Sequence, residues 1–217
     1  MNSVDTFADV KLRHVFHDEE LQGRRLELLT PSERDRYDNF KSETRKMSFV
    51  LGRAAARELA AHFLDVSEEE IRFSIDESGA IDLVGFEGFL SLSHSGDRAV
   101  AALAPVPVGV DLEMLTPRSE DIYKFVLKTE EYHLLTNPVF TPNDTVLLCW
   151  SVKEAILKGL RTGLRLSPQK IMLEPDFGGG TGTAIVEDGS EWDVLFELLD
   201  GYFLSIARIR SPGHGQT

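Results

Sequence analysis

Residues 98–114, RAVAALAPVPVGVDLEM, constrain the fold of this chain more than any other stretch. Two apolar runs, 98–104 and 108–113, read as strands, and Pro105 and Pro107 punctuate the short connection between them. The spacing predicts a hairpin. It also marks a midpoint, because helix-forming and strand-forming segments lie on both sides of it.

Upstream, TPSE at 30–33 predicts a helix start, with Thr30 as N-cap, Pro31 in the first position and Glu33 closing a capping box. That helix is expected to run through Arg36 and Phe40. A longer helix is predicted over 43–64, where Met47, Val50, Leu51, Ala54 and Ala55 make an apolar stripe. Lys46, Arg53 and Arg57 fall within a sector of roughly 40° at 100° per residue. Residues 71–76 and 89–95 read as strands. Downstream, 119–136 reads as helical, and TPND at 141–144 repeats the Thr-cap, Pro-first pattern before a second long helix. KIMLE, GTAIVE, WDVLFELL and YFLSIARI read as strands, the last after an Asp200–Gly201 turn. Helices and strands in mixed order, joined by hairpins rather than regular βαβ units, predict an α+β fold. The two halves suit two similar lobes meeting near 104–108. Residues 1–105 and 106–210 are the expected lobes, and 211–217 is expected to be a disordered tail.

With 42% hydrophobic and 27% charged residues, the 217-residue chain has the composition of a folded globular protein. The start carries no basic and apolar leader pattern, no apolar run approaches a membrane span, and the lone Cys149 suits a reducing compartment. These features predict a cytoplasmic protein. The net charge of −13 argues against nucleic acid as a partner. Yet residues 24–57 carry nine Lys/Arg against five Asp/Glu, and 150–170 carry five against one. Two basic islands in an acidic chain read either as solvated faces or as two walls of a site for a polyanion.

In GVDLE, strand alternation puts Gly109, Asp111 and Glu113 on one face and Val108, Val110 and Leu112 on the other. Paired carboxylates repel unless a cation joins them, and Mg²⁺ takes oxygen ligands while leaving room for substrate phosphates. Taken alone, a D-x-E also reads as two solvated acids on a half-exposed strand. In WSVKEAILKG at 150–159, apolar residues occupy two flanks of a helix. Glu154, Lys158 and Arg161 share the remaining stripe, the first two one turn apart. Such a charged stripe among bulky apolar residues marks a candidate site. Ser93-His94-Ser95-Gly96 ends a strand in a tight turn whose hydroxyl, imidazole and N–H donors suit a phosphate. GGGTG at 178–182 lacks the Lys-Ser/Thr of a phosphate loop, and Cys149 lacks a base.

SHS, GVDLE and WSVKEAILKGLRTGL, in this order and spacing, resemble the 4′-phosphopantetheinyl transferases of the broad-specificity Sfp type. LGRAAAR and TPSERDR fit the N-terminal half, so the resemblance runs from about Pro31 to Leu166. It implies two pseudo-symmetric α+β lobes in one chain with the active site between them. It implies transfer of phosphopantetheine from coenzyme A to a serine of an apo acyl or peptidyl carrier protein, releasing 3′,5′-ADP; a two-lobed chain would complete its own site, so a monomer is expected. By resemblance, Asp111, Glu113 and Glu154 hold Mg²⁺, and Glu154 is the base for the carrier serine. Lys158 neutralises the phosphate under attack, and Arg36, Arg53, Ser93 and His94 contact coenzyme A. The chain departs from the family pattern at Gly79-Ala80-Ile81, where Gly-Lys-Pro is usual, and at Leu90-Ser91 before the Ser-His motif. A Mg²⁺-dependent hydrolase of a nucleotide diphosphate, and a coenzyme A or carrier-binding domain without turnover, are the competing readings.

Overall fold

The computed structural model describes residues 7–77 and 79–210; the expected tail at 211–217 lies outside them. Local signals dictate the helices. Thr30 caps α2 (Pro31–Asp38): its hydroxyl accepts the Glu33 N–H, and the Glu33 carboxylate accepts the Thr30 N–H at 3.0 Å. Ser42 caps α3 (Glu43–Leu64), whose last turn ends at a left-handed Asp65. Thr141 caps α5 (Pro142–Gly159). The region read as one helix over 119–136 is two elements, α4 (Asp121–Val126) and a 3₁₀ helix (Thr129–Thr136), interrupted by an extended Leu127 and Lys128. Two elements carry no clear pattern in the sequence. These are the edge strand β1 (Lys11–Phe16) and α1 (Glu19–Glu27), a helix with no buried residue.

The remaining strands are β2 (Phe73–Ile75), β3 (Ile81–Leu83), β4 (Phe89–Ser95), β5 (Arg98–Ala104), β6 (Val108–Met114), β7 (Ile171–Asp176), β8 (Thr181–Val186), β9 (Glu191–Leu199) and β10 (Tyr202–Ile209). They form antiparallel sheets in the orders β1-β5-β4 and β6-β10-β9-β8-β7, with β2-β3 as a separate ribbon. The α+β class expected from the sequence is what the chain adopts.

The expected hairpin does not form. β5 pairs with β4 and β1, whereas β6 pairs with β10, nearly a hundred residues downstream. The short Pro105–Pro107 connection therefore passes from one sheet to the other. Two prolines remove donors that a hairpin ladder would use.

Three cores follow. α3 packs Leu51, Ala55, Leu59 and Ala60 onto Ala99, Ala101 and Leu103 of β5. The other face of β5 (Val100, Ala102, Ala104) meets Val108, Val110 and Leu112 of β6 and Leu204 and Ile206 of β10. α5 covers the far side of the five-stranded sheet, burying Val152, Ala155 and Ile156 against Trp192, Phe203 and Ala207. The free edge of β6 is not left bare. Ser91 and Ser95 of β4 accept its Val110 and Met114 N–H groups, each at 3.1 Å.

The approach of α5 to β6 is closest at Gly109. A Cβ at that position would overlap the carbonyl of Ala155, and Gly159 lies next along the same helix face. Gly109→Ala is therefore expected to lower stability by more than about 3 kcal/mol, the upper end for overpacking, because backbone rather than a side chain must yield. Urea unfolding of the variant checks this; wild-type stability would contradict it.

Candidate active site

The contact between β6 and α5 places the charged residues. Asp111, on the face of β6 that meets α5, is buried, while Glu113 and Glu154 are half-buried. Lys158, one turn beyond Glu154, reaches Asp111 Oδ1 at 2.7 Å and Ser93 Oγ at 2.8 Å, and its ammonium also donates to the Val110 carbonyl at 3.2 Å. Ser93 Oγ in turn donates to Asp111 Oδ1 at 2.9 Å. Ser93 and His94 thus differ from their expected setting. They lie within β4, on opposite faces of the strand, and the tight turn begins after them, at Gly96 with φ 57°. Ser93 joins the carboxylate cluster, and His94 faces α3 beside Gly52.

Glu113 is gripped at both oxygens, by Trp150 Nε1 at 2.8 Å and Arg118 Nη2 at 3.0 Å. Burial raises its pKa, and the Asp111 charge raises it further. Burial also raises the pKa of Glu154; Lys158 opposes this, and Asp111 and Glu113 add to it. Two carboxylate oxygens in this cluster, Asp111 Oδ2 and Glu154 Oε1, are buried without a hydrogen-bond partner. Among the described residues no three His, Cys, Asp or Glu side chains converge as a ready metal cage. Orphaned carboxylate oxygens and mutually repelling acids nevertheless fit a hard divalent cation. Asp111, Glu154 and Glu113 are the residues that could hold it.

Beside this cluster a cleft of about 410 Å³ opens between α3, β4 and the end of α5. Its walls carry Arg36, Arg45, Arg53, His94, Lys158 and Arg161. Arg36 and Arg45 are exposed and have no carboxylate partner among the described residues. Arg53 differs. It is buried, with Nε 2.9 Å from Glu33 Oε1 but without the alignment of a hydrogen bond. Arg57 binds the other oxygen of Glu33 at 2.7 Å. Phe49 and Phe73 alternate with these cations: Arg36 and Arg53 lie over Phe49 at 5.7 and 5.0 Å, Arg53 and Arg57 over Phe73 at 5.8 and 5.1 Å. The ladder orients the free guanidinium of Arg36 while Glu33 fixes the inner two. The pKa of His94 is lowered by partial burial and then by the Lys158 charge.

Lys46, read from the sequence beside Arg53 and Arg57, instead pairs with Glu43 at 2.9 Å. Arg161, read onto the helical stripe of Glu154 and Lys158, lies beyond the helix, which ends at Gly159. Arg45, Trp150 and Arg118 went unread as site residues; only Trp150, inside the W-S-x-K-E run, carried a signal. Lys153 also went unread. It is fully buried against Glu131 at 2.6 Å and holds the Val126 carbonyl, tying α5 to α4 and the 3₁₀ helix. Cys149 is packing, as expected: it is buried, and burial pushes its thiol up to about 12.

The family model of the 4′-phosphopantetheinyl transferase superfamily matches residues 107–207, the span that holds Asp111, Glu113, Glu154 and Lys158. Over that span the chain is similar to members of the superfamily. It is 28% identical over 150 residues to 4′-phosphopantetheinyl transferase Sfp of Bacillus subtilis (strain 168), covering 68% of this chain and 67% of that one. It is 24% identical over 195 residues to the 4′-phosphopantetheinyl transferase ffp of Bacillus subtilis, covering 88% and 87%. A Mus musculus protein, L-aminoadipate-semialdehyde dehydrogenase-phosphopantetheinyl transferase, is 25% identical over 209 residues, covering 85% and 68%. The matched family and the relatives named as transferases support a transferase.

Glu33 supports the basic wall energetically as well as sterically. Burial by itself would raise its pKa, but the Thr30 N–H and the Arg57 and Arg53 guanidinium groups outweigh this and lower it. Glu33→Gln leaves the buried Arg57 uncompensated and is expected to cost about 3–5 kcal/mol at neutral pH. A carboxyl depressed in the native state stabilises above its unfolded pKa, and that stabilisation fades as pH falls through the native value. Urea unfolding at neutral and acid pH checks this: the gap between wild type and variant should narrow in acid, and a constant gap would contradict it.

Proposed function

We propose that this chain transfers 4′-phosphopantetheine from coenzyme A to a serine hydroxyl of an apo acyl or peptidyl carrier protein, leaving 3′,5′-ADP. The observation that carries the reading is the meeting of orphaned Asp111 and Glu154 oxygens with Lys158 at one end of a basic cleft. Phosphoryl transfer asks for this arrangement: positioning, cations around the phosphates and a base for the attacking hydroxyl.

In this reading Arg36, Arg45 and His94 take the nucleotide phosphates of coenzyme A, and Arg53 contributes from the cleft wall. The pyrophosphate then lies toward Lys158. The carrier serine attacks the phosphorus on the pantetheine side, forming a new P–O bond as the bond to the 3′,5′-ADP oxygen breaks. Glu154, whose basicity burial raises, takes the serine proton directly or through a water. Lys158 offsets charge on the transferred phosphoryl and on the departing ADP. Mg²⁺ held by Asp111, Glu113 and Glu154 would supply further charge neutralisation at the pyrophosphate. Trp150 and Arg118 keep Glu113 oriented toward the cluster.

Residues 1–105 and 106–210 are read as two lobes that complete the cleft within one chain, so the enzyme acts as a monomer in the cytoplasm. No helix of the described residues is long and apolar enough to cross a membrane. Carrier proteins are generally acidic, as this chain is, so docking relies on local apolar and basic surface rather than net charge.

Intact mass of an apo acyl carrier protein, after incubation with the protein, coenzyme A and Mg²⁺, tests the reading. A gain of one phosphopantetheine is expected, with the rate falling at least about 100-fold in Glu154→Ala. Release of 3′,5′-ADP without any modified carrier would contradict it and favour hydrolysis.

A further inference from the structure

Arg161 occupies the cleft in a way that the reaction chemistry does not require. Its backbone is left-handed, φ 57°, a conformation that side chains other than glycine rarely adopt. Its guanidinium reaches to the β2–β3 ribbon, more than 75 residues earlier in the chain. There Nη1 binds Asp82 Oδ2 at 2.9 Å, Nη2 contacts Asp82 Oδ1, and Nη1 lies 3.3 Å from Asp76 Oδ2. The planar group also lies over the Phe89 ring at 5.3 Å. A forked pair with both side chains about a quarter to a third exposed is geometrically specific in a way that single-point surface pairs are not.

The segment between the two aspartates explains why this matters. Gly79, Ala80 and Ile81 line the same cleft as Lys158 and Arg161. Ala80 brings no charge there, so this wall acts on a ligand through where it stands. The ribbon is only two strands of three residues; Ile81 and Leu83 of β3 seat one face of it in the α3 core, and Asp82 between them carries the opposite face to Arg161. Arg161 is already committed to two carboxylates, whereas Arg36 and Arg45 are the uncommitted cations for a phosphate.

We propose that Arg161 is a positioning residue for coenzyme A: by clasping Asp82 it fixes the 79–81 wall against the end of α5 and so sets the width of the cleft. The inference rests on the reading that the cleft takes coenzyme A. The wall touches bound coenzyme and not the reacting oxygen, so the clasp acts on affinity and not on the chemical step.

Charge exchange tests it. Arg161→Asp and Asp82→Arg are made singly and together, Asp being a residue that tolerates the left-handed backbone. Calorimetric titration with coenzyme A, kcat at saturating coenzyme and melting temperature are recorded for each. Each single exchange should weaken coenzyme A binding roughly five- to tenfold with kcat unchanged, and the double exchange should recover most of the affinity. Single variants that bind as wild type does, or a double variant as weak as the singles, overturn the proposal; the latter would make Arg161 a direct ligand. Should a single variant melt below the assay temperature, the double variant decides alone by the same criterion. A wild-type chain that does not bind coenzyme A overturns the functional reading and this inference together; binding by wild type with indifferent variants overturns the inference only.

Discussion

The contact of a helix with a strand through two glycines is the constraint on which the rest of the site depends. Where α5 crosses β6, Gly109 and Gly159 remove the side chains that would separate them, and the carbonyl of Ala155 takes the space. At this separation Lys158 reaches both Asp111 and the Val110 carbonyl. The serines of β4 then dock on the same edge of β6, so one short strand collects groups from both sheets and from α5. The architecture is costly in tolerance to mutation and gains a dense polar cluster in return.

Electrostatics divides that cluster from its surroundings. Three acids lie together in partial burial, which raises the pKa of Glu113 and Glu154. Cations line the adjoining cleft, and the structure sorts them by commitment. Arg53 and Arg57 are spent on Glu33, Arg161 on Asp82, and Lys158 on Asp111. Arg36 and Arg45 stand uncommitted at the mouth. A chain with a net charge of −13 thereby offers an anion a local basic path leading to a place where a divalent cation and a base could act.

What the sequence made legible follows from how local each signal is. Thr30-Pro31 and Thr141-Pro142 announce helix starts because capping depends on a few adjacent residues, and both helices begin there. The 43–64 helix was readable from its apolar stripe, and the structure adds the Ser42 cap. The partner of β6 was not readable. A three-residue connection invites a hairpin, and only the competition among apolar strands for one core assigns it to β10 instead. β1 and α1 were harder to read, because β1 is a mostly exposed edge strand and α1 buries no residue. In the site, Asp111, Glu113, Glu154 and Lys158 were legible as motifs. The Glu33–Arg53 and Arg161–Asp82 pairs were not, since each joins residues far apart in the chain through the tertiary fold.

The central claim is that the acids of β6 and α5 and the basic cleft are one site for a divalent cation and coenzyme A. Anomalous diffraction from crystals grown with Mn²⁺ and coenzyme A tests it most directly. The account predicts one strong manganese peak among Asp111, Glu113 and Glu154, with the coenzyme pyrophosphate beside it and the nucleotide toward Arg36 and Arg45. A manganese peak elsewhere, or coenzyme A bound outside the cleft, would contradict it.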